Sequence, residues 1–226
     1  MVKTPIIAAS AIAILAVGMF AMPIGIADAM GNFLDVKNTK VKTDSSEVEK
    51  AFFTAKGKIP TDGSGGAFGF GIISSAGLEA IAVTTTHRGI QDSVAQEDAD
   101  DPVFHNHYVA LRDNTSPDWT GLCDPDSLEI VDISFEEPGD VDIKNKKAIM
   151  EDVPYYFGGT HSLSGENIAF QADKNVGAAV SFTIGPVDSD GEPTLDPAAI
   201  IAGGSVCIND VELSDRLKVN EVRKTA

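Results

Sequence analysis

Glu129-Ile130-Val131-Asp132-Ile133-Ser134-Phe135 alternates along its length. At a period of two, Ile130, Asp132 and Ser134 fall on one face, and Glu129, Val131, Ile133 and Phe135 on the other. One polar face and one mostly apolar face describe a strand in a sheet covered on one side. Outward from this stretch the chain keeps repeating short β-rich runs. They are Ala51–Lys58, Phe68–Ser74, Leu78–Thr86, Val103–Arg112, Leu128–Phe135, Val141–Ile143, Ala148–Val153, Asn167–Gln171, Ala178–Ile184, Ala199–Ala202 and Ser205–Asn209. The separators are turn-rich: Asp62-Gly63-Ser64-Gly65-Gly66, Pro138-Gly139-Asp140, Gly158-Gly159 and Asp188-Ser189-Asp190-Gly191. Many strands at short spacing, with no helices between them, predict an all-β fold: an antiparallel β-sandwich or a partly open barrel. Only Val48–Ala55 and Val211–Val222 have spacings that also fit short helices. In Phe68-Gly69-Phe70-Gly71 the strand glycines point to a bulge or a close backbone approach.

The ends differ from the middle. Lys3 precedes an uncharged run from Pro5 to Ala27, and Ala27-Asp28-Ala29 has the small-x-small form of a cleavage site. Residues 1–29 are therefore expected to be a secretory signal peptide, with an uncleaved anchor as the alternative. A mildly basic segment or arm, 30–60, would follow, and then an acidic β-sandwich domain, 61–226. The expected location is secreted or at the extracytoplasmic cell surface.

With 17 Lys and Arg against 34 Asp and Glu, the formal charge is −17. A phosphate backbone would be repelled, which excludes nucleic acid as a partner. Membrane contact is expected only through the N-terminal segment, if it stays attached. In an exported chain the only two cysteines, Cys123 and Cys207, are expected to form a disulfide.

The chemistry rests on histidine. Of four histidines, His87, His105 and His107 fall close together. In Val103-Phe104-His105-Asn106-His107-Tyr108-Val109-Ala110-Leu111, strand period places His105 and His107 on one face with Val103, Val109 and Leu111. His87 ends another strand, on the face of Ile81, Val83 and Thr85. If the two strands are neighbours, three imidazoles can converge on one copper or zinc ion. Asp92, in the acidic loop 88–102, and His161 are the candidates for further ligands. H-x-H on a strand with a disulfide near the C-terminus is similar in outline to the copper-zinc superoxide dismutases. Their metal-bridging histidine and closely spaced zinc-binding histidines have no counterpart here, and the chain is not placed among them.

Other motifs lead to less. Asp188-Ser189-Asp190-Gly191-Glu192 has only part of a calcium loop and reads as a turn. Asn114-Thr115-Ser116 fits a glycosylation acceptor. No P-loop, dinucleotide fingerprint or nucleophile elbow occurs, and no residue is singled out as catalytic. The leading expectation is an exported metal-binding protein for copper handling or redox chemistry. The alternative is a non-catalytic subunit of a cell-surface layer or filament, whose partners would be copies of itself or other surface proteins.

Overall fold

The computed structural model describes residues 32–221; the expected signal peptide and the last five residues lie outside them. Thirteen strands follow one another: β1 (Val36–Thr43), β2 (Glu47–Ala55), β3 (Phe68–Ile73), β4 (Ile81–Thr86), β5 (His105–Arg112), β6 (Leu128–Ile133), β7 (Asp140–Lys144), β8 (Lys147–Pro154), β9 (Tyr156–Thr160), β10 (Asn167–Gln171), β11 (Ala178–Val187), β12 (Ser205–Leu213) and β13 (Leu217–Glu221). Among the described residues a single short helix, α1 (Pro197–Ile201), and one 3-10 turn (Gly77–Glu79) interrupt them. The all-β reading holds. Among the described residues no helix is long and apolar enough to cross a membrane.

Six strands close into a barrel in the order β11-β12-β6-β5-β4-β3, and every pair in it is antiparallel. A five-stranded sheet, β13-β1-β2-β8-β7, packs against the barrel's outer wall, and β9 and β10 form a separate ribbon. The β1–β13 pair is parallel, the exception in an antiparallel fold. Residues 32–60 pack with the rest: β1 and β2 occupy the middle of the five-stranded sheet, and Phe53 of β2 lies 5.6 Å from Phe70 of β3.

This arrangement gives β3, β4 and β5 two dry faces. Ile81, Val83, Val109, Ile133, Val180, Phe182 and Ile208 point into the barrel. Phe68, Phe70, Ile72, Ala82, Tyr108 and Ala110 point out against the sheet, onto Val41, Ala51, Phe53 and Met150. All six residues of β3 and of β4 are buried, as are the first six of β5. The glycines of β3 belong to the inner face. A Cβ on Gly69 would stand 2.7 Å from the Phe182 ring and from the Thr84 carbonyl, closer than real Cβ contacts come.

Several local expectations change. Val48–Ala55 is strand, not helix: Glu49 is an extra residue between the pairs Lys42↔Lys50 and Thr43↔Val48, and this bulge turns a strand's spacing of two into the three-residue step Val48 to Ala51. Of Val211–Val222, the described residues 211–221 are likewise not helical. They end β12, which bulges at Asp210 (φ 48°), and form β13. Ala199–Ala202 lies in α1 and past its end rather than in a strand, because Asp196 caps that helix through Ala198 N at 2.9 Å and Pro197 starts it. Gly158-Gly159 sits within β9 instead of separating strands. In β6 the alternation breaks at Val131, an extra residue between the pairs Ala110↔Asp132 and Leu111↔Ile130. Ile130 and Ile133 therefore both pack toward the barrel interior, while Val131 is 43% exposed.

Cys123 and Cys207 are joined, with Cα atoms 5.6 Å apart. The bridge ties the 113–127 loop to β12, and such a bond belongs to an oxidising, extracytoplasmic setting. Beside it Glu129 is buried. It accepts from Arg112 Nε (2.8 Å), Thr120 Oγ1 (2.8 Å) and Ser205 Oγ (2.6 Å), so one carboxylate links β5, the loop, β6 and β12. Burial opposes its charge, but these donors outweigh burial and bring its pKa down to about 2 from an ordinary 4.5. The depressed carboxylate stabilises the fold fully above about pH 4.5, and the benefit is lost as pH falls toward 2, a contribution of order 3 kcal/mol. Glu129→Gln is expected to lower the unfolding free energy near pH 7 by about 2–4 kcal/mol. Urea titrations of wild type and variant between pH 7 and 2 test this, and the two curves should converge as the pH falls.

Candidate metal centre

β4 and β5 are neighbours, paired antiparallel through Thr85↔His105 and Val83↔His107. His87 follows the end of β4 and His105 begins β5, so the two meet at one end of the barrel. The loop 88–102 between them is cinched at its base, where Thr86 Oγ1 donates to the Pro102 carbonyl at 2.7 Å. Within the loop, Gln96 holds the chain. Its Oε1 accepts from Asp92 N (2.9 Å) and Ser93 N (3.2 Å), and its Nε2 donates to the Ile90 carbonyl (3.2 Å). Ser162 Oγ donates to the Asp92 carbonyl at 2.8 Å. With its backbone fixed at both N and O, Asp92 turns its carboxylate inward.

Three imidazoles meet that carboxylate. Asp92 Oδ2 lies 3.1 Å from His87 Nε2, and Asp92 Oδ1 lies 3.3 Å from His105 Nε2 and 3.6 Å from His107 Nε2. The Nε2 atoms of His87 and His105 are 3.2 Å apart. Neighbouring rings are edge-on, with centroids 4.9 Å apart. His105 and His107 are fully buried and His87 nearly so. One ligand atom each from His87, Asp92 and His105 falls within a 4.8 Å group that could hold a metal ion, and His107 adjoins it through Asp92.

The far sides of two rings determine their chemistry. His105 Nδ1 is 2.8 Å from the Val103 carbonyl, and His107 Nδ1 is 2.6 Å from the Ser134 carbonyl. A carbonyl only accepts, so each Nδ1 carries a proton, and each ring, when neutral, presents an Nε2 lone pair to Asp92. Lone pairs and a carboxylate thus converge with few protons between them. His107 Nε2 and Asp92 Oδ1 are buried and have no hydrogen-bond partner. An acceptor-rich cluster in a dry site needs a cation at its centre, whether a metal ion or a proton.

Without a metal, the electrostatics favour a proton as that cation, between Asp92 and His107. Burial resists charge on Asp92, but the surrounding imidazoles, His107 foremost, hold its carboxyl well below the usual range. Burial also resists charge on His107, but the facing carboxylate raises its pKa above the ordinary imidazole value. At His105 burial prevails and the pKa falls.

His161, the other candidate, stands apart from this cluster. Its Nδ1 accepts from Leu163 N (3.1 Å) and Ser164 N (3.2 Å), which occupies the nitrogen it would offer, and its Nε2 is turned to the Val131 carbonyl (3.4 Å). Of the acids in the loop, only Asp92 turns in. Asp98 and Asp101 are used in turns of the loop itself. Sequence reasoning did not find Gln96, Ser134 or Ser162. An amide among acids, shared with Gln91 of the same loop, was the one visible trace of Gln96, and nothing in the local pattern marks the other two.

In metal-free protein the neutral forms of His105 and His107 are expected to be Nδ1–H tautomers, since each Nδ1 faces a carbonyl. Long-range nitrogen–proton correlation spectra test this; an Nε2–H pattern on either ring would contradict the converging lone pairs. No family model matches this chain, and no curated protein or solved structure matches it.

Proposed function

We propose that the protein is an exported metal-binding protein that holds a copper or zinc ion with His87, His105, His107 and Asp92, and handles that metal outside the cytoplasm. The observation that carries this reading is the pinning of His105 and His107 by backbone carbonyls, which leaves their Nε2 lone pairs facing one carboxylate. Ligand histidines are commonly fixed in this way through their other ring nitrogen. Three imidazoles and one carboxylate suit zinc and copper alike, and the Irving–Williams order favours Cu(II) at such a donor set. The disulfide and the signal-like residues 1–29 support export.

Elemental analysis of the full chain purified without a histidine tag is expected to give near-stoichiometric copper or zinc, and His105→Ala is expected to abolish it. Absence of metal after incubation with either ion would overturn the reading. Gln96→Ala touches no ligand atom but frees the Asp92 backbone, and should weaken metal affinity by roughly 10–100-fold. Metal must displace the proton that Asp92 favours on His107, so affinity should drop as pH falls through and below the His107 pKa, which lies above 6.5. Competition titrations with a chelator at several pH values measure both effects.

A further inference from the structure

Behind the cluster the barrel is hollow. A cavity of about 260 Å³ runs through its interior, walled by Val83, Val109, Ile133, Val180, Phe182 and Ile208, and His87, Asp92 and His107 form part of the same lining. Three buried atoms without hydrogen-bond partners, His107 Nε2, Asp92 Oδ1 and Thr85 Oγ1, belong to residues of this lining. The other carboxylate of the lining, Glu129, is already satisfied by Arg112, Thr120 and Ser205, so an apolar lumen with unsatisfied polar groups at the histidine cluster has the form of a small-molecule site.

Size and charge define the occupant. A dry apolar cavity of about 150 Å³ takes one benzene, so this lumen has room for about ten non-hydrogen atoms. The apolar wall calls for a hydrocarbon body. A divalent ion beside the Asp92 carboxylate leaves one uncompensated positive charge in a dry place, where a monoanion is favoured over a neutral donor. Arg88 also lines the cavity, and its guanidinium is held by the Asp62 carbonyl at 2.9 Å. Among the described residues no carboxylate pairs with it, so a second positive group adjoins the same space. We infer that the barrel lumen binds a medium-chain monocarboxylate, its hydrocarbon tail among Val83, Val109, Val180 and Phe182 and its carboxylate on the metal held by the histidine cluster. This rests on the metal-binding reading above.

Calorimetric titration of the zinc-loaded full chain with octanoate and with acetate tests the inference. Both ligands present the same head to the metal, and only octanoate has a tail for the lumen. Octanoate is expected to bind at least a hundredfold more tightly than acetate, because six further methylenes leave water. Metal-free protein should lose that binding. Val180→Phe and, separately, Val83→Phe should bring octanoate to within about tenfold of acetate by filling the lumen, and zinc content measured on the same samples shows that each variant is folded. Zinc uptake with octanoate and acetate within threefold of each other would overturn the lumen site and leave the metal site standing. Equal octanoate binding with and without zinc would overturn the placement of the carboxylate on the metal. Tighter binding of octylammonium than octanoate to metal-free protein would overturn the choice of an anion. Failure to take up zinc or copper at all would overturn the metal reading and this inference with it.

Discussion

β3, β4 and the first six residues of β5 have no wet face, and most of the structure follows from that. One side of each strand lines the barrel and the other meets the five-stranded sheet. Any polar side chain on these strands must find its partner inside the protein or leave a desolvated group behind. Phe68, Phe70 and Tyr108 meet the requirement on the outer face by being mostly apolar, and the Tyr108 hydroxyl reaches the Pro154 carbonyl at 2.7 Å. On the inner face His105 and His107 cannot avoid it. Their Nδ1 protons are spent on carbonyls of their own strand's lead-in and of the residue after β6, which leaves the Nε2 lone pairs to one another and to Asp92.

Such a cluster is poor as a device for stability. Removing buried ionisable groups in favour of apolar ones is often neutral or stabilising, and the barrel already has ample aliphatic lining. Four groups that mostly accept, held rigidly by carbonyls, a glutamine and a serine, suit a ligand far better than they suit packing. The rigidity also argues for a definite ion: Asp92 is fixed through its own backbone, on a loop tied at both ends, so the ligand set stands ready before anything binds.

The legible part of the fold was the part where a period of two survives. His105, His107, Val109 and Leu111 share a face as the alternation implies, and so do Ile81, Val83 and Thr85 with His87 beyond them. The pairing of β4 with β5, which brings those faces together, is a single hairpin-like step across the acidic loop. Alternation failed where a bulge inserted one residue. Glu49 made a strand look helical, Val131 interchanged the two faces of β6, and Asp210 disguised the end of β12. A bulge is a tertiary accommodation of sheet curvature and twist, and the residues at these three positions have no common identity that would mark it. Asp92 was visible as one acid among several, but what distinguishes it from Asp98 or Asp100 is the hydrogen bonding of Gln96 and Ser162, which sequence spacing does not reveal.

The rest of the acidic loop has a different role from Asp92. Asp98 and Asp101 accept from backbone N–H groups two or four residues away, which keeps the loop compact, while Asp98 and Asp100 remain exposed. Their charges face water beside a centre whose own groups are buried, so they are screened by salt and cannot match the near-contact effect of Asp92. At the level of the loop, then, one carboxylate sets the character of the site and the others set the potential of the approach to it. A cation arriving from outside would meet that negative field first. The more costly step would come after, when the ion would give up its water for the imidazoles and Asp92 in the barrel wall.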